Sequence, residues 1–391
     1  MEPQDRIRVL QEKICEQNLA GALLLYSRDV LYYTGTAQPS YLVVLPEDYF
    51  LFVRSGFDFA VNDVFIEKDK IKEERKLGNI YEEIFSGLKT GSKKIGTELD
   101  ILTVEQFKNF KDVFPDYDFV NISPTVLEQR KRKDSSEIDK IKVACDVVHK
   151  GHEAVLATLR EGITELELAA AVENAHRLAG HEGIFFIRLP DFFMSRGPIS
   201  SGSNLFKISG VVYTITGVGL SPSVPAGPSR RKISRGEPVI VDIPTFVDGY
   251  HADQTRTYCL GKADEKIKTM YDNLKDIADH LIDSIKPGMK CSEIYQMAIE
   301  KSKELKVAEA FLNFGKGRRS RLLGHGIGLE LNEPPIPSAY DHSEVADDYV
   351  IALDMHMMDE GAGVVKLEDM ILIRQGGNEI LTRSPRELCE I

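Results

Sequence analysis

The sequence predicts two α/β domains that meet near residue 130. Three observations carry that expectation. The chain has 391 residues with 42% hydrophobic content, enough to bury more than one core. Short apolar runs alternate with helical patterns through roughly the first 125 residues. An abrupt basic run, Arg130-Lys131-Arg132-Lys133, then precedes a long helical pattern.

In the first domain, placed at residues 1–128, Gly21 to Tyr26 (GALLLY) reads as a buried strand. Tyr41 to Leu45 and Tyr49 to Val53 flank Pro46-Glu47-Asp48 and read as two strands joined by a tight turn. Thr103 and Gln106 have the spacing of a capping box and open a helix through Phe110. In an acidic chain the basic run reads as a solvated linker in preference to an anion-binding patch. Asp134-Ser135-Ser136 offers capping side chains to a helix from Glu137, and the second domain is placed at 134–391. Within it, Gly162-Ile163-Thr164 before ELELAAAVENAH is echoed by Gly288-Met289-Lys290 before CSEIYQMAIEKS. At that offset of 126, Leu168 matches Ile294 and Ala171 matches Met297, the weak trace of an internal duplication. Duplicated folds often place their site between the copies.

Composition excludes several classes. A net charge of -12, from 49 basic and 61 acidic residues, argues against nucleic acid as a partner. The opening segment MEPQDRIRVLQEK lacks a signal-type apolar core, and no stretch is long enough to span a bilayer, so no membrane role is expected. Cys15, Cys145, Cys259, Cys291 and Cys389 are scattered and odd in number, which suits reduced thiols and a cytoplasmic address. His152-Glu153 and His181-Glu182 lack the second histidine of a zincin helix. Nucleophile-elbow and phosphate-loop motifs are absent, and Gly324-x-Gly326-x-Gly328 lacks the spacing of a dinucleotide fingerprint.

The chemistry concentrates in two hairpins. Asp248-Gly249 between β-rich runs marks a two-residue turn, so Val247 faces Tyr250, Pro244 faces Asp253, and Asp242 shares a face with Asp253. Tyr349 to Asp354, a turn at Gly361-Ala362-Gly363, and Val364 to Ile371 repeat the device. The even separation of 14 puts Asp354 and Glu368 on one face. Acids beside a hairpin usually face solvent. Buried together, they need cations or donors. Between the hairpins, GHGIGLELNEPP sets His325 among glycines, where an imidazole can approach a site closely. Four carboxylates and one imidazole suit two divalent ions of Mn, Co, Zn or Fe.

These residues, in this order, resemble the pita-bread metallopeptidases: methionine aminopeptidase, aminopeptidase P, prolidase and the metal-free creatinase. The pattern is Asp, a second Asp eleven positions on, His in a glycine-rich segment, then two further acids. It covers most of residues 134–391, and GALLLYSRDVLYYTG resembles the N-terminal domain of the Xaa-Pro peptidase and creatinase branch. The resemblance implies a creatinase-like N-terminal domain followed by a pita-bread domain with pseudo-two-fold symmetry, and a homodimer. It implies metal ligands at Asp242, Asp253, His325, Asp354 and Glu368, with Asp242 and Glu368 bridging and Asp354 as general base. The implied reaction is hydrolysis of Xaa-Pro dipeptides or short peptides.

The chain departs from the pattern at three places. Asp354, followed by Met355, stands where the family has Glu and Pro. Asn332 stands for a histidine, and Ser221 to Gly227 lacks the substrate-side histidine. His251 and His356, each two residues from an expected ligand, are candidate replacements in substrate binding, or ordinary histidines. Lys316, Arg318, Arg319 and Arg321 are a candidate clamp for a substrate carboxylate, or a solvated loop. The lost histidines keep a second enzymatic class in view, hydrolysis or lysis of a non-peptide small molecule. A non-catalytic binding protein is the third alternative.

Overall fold

The computed structural model describes residues 3–89, 91–189, 197–209 and 214–391. The chain divides into two compact units, Met1–Arg130 and Lys131–Ile391.

The first unit is a six-stranded mixed sheet in the order β4-β3-β2-β1-β5-β6. Its strands are β1 (Gly21–Leu24), β2 (Ser40–Val44), β3 (Tyr49–Val53), β4 (Ile71–Glu73), β5 (Lys94–Thr97) and β6 (Asp118–Asn121). They alternate with helices α1 (Asp5–Glu16), α2 (Ser27–Thr34), α3 (Phe57–Asp63), α4 (Leu77–Ile80), α5 (Val104–Val113) and α6 (Ser123–Lys131). The β2–β3 turn closes as its sequence predicts, with the Leu45 amide donating to the Asp48 carbonyl at 2.8 Å. The Thr103 hydroxyl accepts from the Gln106 amide at 3.2 Å and the Gln106 side chain returns the bond at 2.9 Å, so α5 begins with both orphan donors satisfied. Phe110, Phe114 and Phe119 pack ring against ring over the sheet.

The basic run is not a solvated linker. Arg130, Lys131 and Lys133 are buried and only Arg132 of the four is exposed. Arg130 pairs with Asp29 at 2.7 Å inside the first unit, and Lys133 pairs with Glu333 at 2.7 Å inside the second. Composition predicted solvation because it cannot locate the two carboxylates, 101 and 200 residues away in sequence, that make burial tolerable.

The second unit opens with α7 (Ser135–Thr158), capped by Asp134 and Glu137, and α8 (Glu165–Leu178). Strands β7 (Ile199–Ser201), β8 (Pro238–Asp242), β9 (Thr245–Val247), β10 (Tyr250–Ala252) and β11 (Thr255–Cys259) follow. Then come α9 (Glu265–Ser284), α10 (Cys291–Glu304), β12 (Gly324–Gly326), β13 (Val350–Asp359), β14 (Gly363–Leu372), β15 (Glu379–Ile380) and β16 (Cys389–Glu390). The main path of the large sheet is β12-β13-β14-β11-β8-β7, with β9 and β10 forming a small separate ribbon.

The duplication is plain here. Helices α8 and α10 are both 14 residues long and start 126 positions apart, each after a glycine at positive φ, Gly162 at +81° and Gly288 at +92°. Leu168 and Ile294 are both fully buried.

Period-two alternation assigns the two faces of the sheet. Val239, Val241, Met355, Met357, Val365 and Leu367 point to the helices and fill the cores beneath them. The intervening residues Asp242, Asp354, His356, Lys366 and Glu368 point to the other face, where a cleft opens. Helix burial therefore fixes which side chains reach the cleft.

Among the described residues no helix is long and apolar enough to cross a membrane, and all five cysteines are free. Beneath the sheet, His152 contacts the Tyr258 hydroxyl at 2.8 Å and His176 contacts the Val148 carbonyl at 3.2 Å. Burial is the main cause lowering both imidazoles to about 4 from the usual 6.5. The unfolded chain therefore takes up these protons first. Their contribution is complete above pH ~6.5 and is lost as pH falls towards 4, on the order of 2 kcal/mol each. Urea-unfolding midpoints should drop across that window, and a His152→Phe/His176→Leu double variant should show a flatter profile. An unchanged slope in the double variant would refute the assignment.

Candidate metal centre

The two hairpins form in the predicted register. Val247 pairs with Tyr250 across the Asp248-Gly249 turn, whose φ values of +47° and +85° suit a type I′ geometry. Thr255 pairs with Asp242, the same register continued past the irregular Pro244–Asp253 step. Asp354 pairs directly with Glu368 across a turn centred on Gly361. The hairpins join where Thr255 pairs with Glu368. One row of side chains thus crosses the seam between the halves: Asp354, Glu368, Thr255, Asp242. His325 on β12 pairs with Ala352 and lies at the edge of this row.

Asp253, His325 and Glu368 each offer a ligand atom, and the three atoms lie within 4.8 Å of one another. The His325 Nδ1 lies 3.1 Å from the Gly326 carbonyl, which can only accept, so Nδ1 carries the proton and Nε2 presents a lone pair. That Nε2 is 3.7 Å from Glu368 Oε1. Among the described residues, Asp253 Oδ1, Asp354 Oδ1 and Glu368 Oε1 are buried with no hydrogen-bond donor. Burial chiefly, reinforced by neighbouring carboxylates, pushes the Asp253 and Glu368 carboxyls well above the usual range. Buried acceptors of this kind are rare unless a cation completes them, and this donor set fits a divalent ion.

Asp242, expected to bridge, lines the cleft with a cation of the chain's own at its carboxylate. Its carboxylate receives a short hydrogen bond from the Lys366 ammonium, which also lies 3.1 Å from Asp354 Oδ1 and 3.7 Å from Glu368 Oε2. Asp354 Oδ1 thus faces the ammonium as an ion pair without a hydrogen bond from it. Burial works against the charge on Lys366, but Asp242, Asp354 and Glu368 outweigh it and raise its pKa well above the ordinary value. The sequence reading passed over Lys366. Its signal was the even spacing of two from Glu368 on a strand.

The other candidates separate. Asn332 and His356 line the cleft. The His356 Nε2 donates to the Asn313 carbonyl at 3.1 Å, its ring stacks on Phe314, and burial lowers it to about 4, so it is neutral near pH 7. His251 is fully buried and does not line the cleft. Its Nδ1 donates to the Gly328 carbonyl and its Nε2 accepts from the Phe186 amide, so it organises the loop after His325. None of Lys316, Arg318, Arg319 and Arg321 is among the residues lining the cleft; Arg319 pairs with Glu309 and Arg321 lies over Tyr340.

Behind the row, Arg256 donates to the Thr255 and Glu368 carbonyls and pairs with Asp369 at 2.7 Å, all buried. Arg386 holds the other Asp369 oxygen at 2.6 Å. Burial opposes ionisation of Asp369, but the two guanidiniums outweigh it and keep its pKa low.

A duplicated sheet that gathers carboxylates and one imidazole at its seam defines a metal-dependent hydrolase scaffold. Residues 139–375 match Metallopeptidase family M24, and residues 6–132 match the Creatinase/Prolidase N-terminal domain. The chain belongs to Metallopeptidase family M24, and that membership implies a divalent metal cofactor. It is 27% identical to an Xaa-Pro dipeptidase of Pyrococcus furiosus over 98% of this chain and 99% of that one. The fold superimposes on an Xaa-Pro dipeptidase from Bacillus anthracis with a TM-score of 0.84 at 22% identity, covering 100% of both chains. The prolidase from Pyrococcus horikoshii gives 0.80 at 25% identity, covering 98% of this chain and 99% of that one.

Replacing Arg256 by Met should cost about 3–5 kcal/mol, because Asp369 loses a buried partner and two carbonyls lose their donor. Urea unfolding checks this, and a loss under ~1 kcal/mol would show that the clamp is not structural.

Proposed function

We propose that the protein hydrolyses Xaa-Pro dipeptides with the help of a divalent ion held by Asp253, His325 and Glu368. The observation that carries the reading is the convergence of those three ligand atoms on undonated carboxylate oxygens at the floor of a cleft. The full-length similarity to enzymes named Xaa-Pro dipeptidase supports the substrate class. Manganese, cobalt, zinc and iron all suit an imidazole with carboxylates.

A bound ion of this type lowers the pKa of water and polarises a carbonyl. The chain's own groups supply the rest. Asp354 lines the cleft beside the proposed ligands and is placed to accept a proton. Asn332 can donate to a substrate carbonyl or carboxylate without exchanging a proton. Ile187, Leu189, Pro198, Leu322 and Leu331 give the cleft apolar walls that suit a pyrrolidine ring and an apolar first residue. His356 is held neutral and spends its Nε2 proton on Asn313, so proton handling falls to Asp354.

The same reading takes the chain as a cytoplasmic homodimer, and a monomer mass in sedimentation equilibrium would remove that part. The central test is proline release from an Xaa-Pro panel by metal-loaded protein. His325→Ala should weaken metal binding by more than about 100-fold and abolish release in parallel. Tight metal binding with no release from any panel member would overturn the substrate class.

A further inference from the structure

We propose that the Lys366 ammonium takes the place of a second metal ion, so that the cleft holds one divalent ion beside a built-in cation. The inference rests on the metal-hydrolase reading above and specifies its charge arrangement.

The distribution of satisfied and undonated oxygens carries it. On the His325 side, Asp253 Oδ1 and Glu368 Oε1 are buried carboxylate oxygens with no donor. On the opposite side, Asp242 is bound by Lys366, and Glu368 Oε2 accepts from the Thr255 hydroxyl at 2.8 Å. Asp242 Oδ2, Asp354 Oδ1 and Glu368 Oε2 thus already face protein donors, with the Lys366 ammonium beside all three.

Lys366 has little freedom to withdraw. Its amide donates to the Thr257 hydroxyl at 2.9 Å, and that hydroxyl donates to its carbonyl at 2.7 Å. This pins the strand so that the side chain rises on the same face as Glu368. The side chain is 1% exposed, so no route to solvent lets the stem carry the ammonium away. A buried ammonium facing Asp242, Asp354 and Glu368 would repel a divalent ion placed among the same oxygens.

The charge balance agrees. Against the four carboxylates, the ammonium and one divalent ion supply three positive charges. One negative charge remains, the proton-accepting capacity that the proposed hydrolysis requires of Asp354. A second ion would reverse the sign of the site. Lys366 also holds Asp354 by contact at 3.1 Å, which makes it a positioning residue for that carboxylate.

Metal content measured by elemental analysis after saturation with manganese tests the proposal, with electron paramagnetic resonance as a second readout. Wild type should bind one ion per chain and give the spectrum of an isolated Mn(II). Lys366→Met and Lys366→Gln should each gain a second ion and a spin-coupled spectrum. Two ions in the wild type would overturn the proposal without needing a folded variant. One ion in wild type and in both folded variants would also overturn it, since the limit would then lie elsewhere. No ion in wild type would instead defeat the metal reading itself, and the count separates that failure from the other two.

Discussion

The second unit depends on strand register. A two-residue turn at Asp248-Gly249 and a turn centred on Gly361 each fix a ladder, and the ladders meet at the Thr255–Glu368 pair. A slip of one residue in either hairpin would send its acidic side chains into the helix-covered core and its apolar ones into the cleft. The apolar residues of the helix face, Val241, Met355, Met357 and Leu367 among them, oppose that slip because all are buried. Hydrophobic burial on one face thus positions charge on the other, and the site needs no separate scaffold.

That arrangement concentrates like charges in a place where they are costly, and two devices offset the cost. Lys366 stands among the carboxylates on the cleft side. On the core side, Arg256 and Arg386 enclose Asp369, and Arg256 holds the carbonyls of Thr255 and Glu368 from behind. The ligand strand is therefore gripped from both faces, which restricts the geometry available to anything that binds there.

Much of this was legible in the sequence because local chemistry determines it. The Asp-Gly turn, the capping boxes at Thr103 and Asp134, and the equal-length helices after Gly162 and Gly288 are short-range signals that tertiary context did not override. The ligand atoms of Asp253, His325 and Glu368 converge as their order along the chain suggested. What escaped was long-range pairing. The burial of Arg130 and Lys133 depends on Asp29 and Glu333, and the roles of His251 and Lys366 depend on Gly328, Phe186 and Asp242. No periodicity encodes such partners. The shift from Glu to Asp at position 354 was visible, but its companion, a lysine within reach of the shortened side chain, was not read with it.

The duplicated halves have not kept equal shares of the chemistry. Asp242 and Asp354 occupy corresponding ends of the row, whereas its centre pairs Thr255 and Thr257 of one half with Glu368 and Lys366 of the other. At that centre one hairpin contributes neutral hydroxyls and the other contributes both a carboxylate and an ammonium. A substitution at Glu368 or Lys366 therefore changes the charge of the cleft directly, whereas one at Thr255 or Thr257 acts only through the groups those hydroxyls hold.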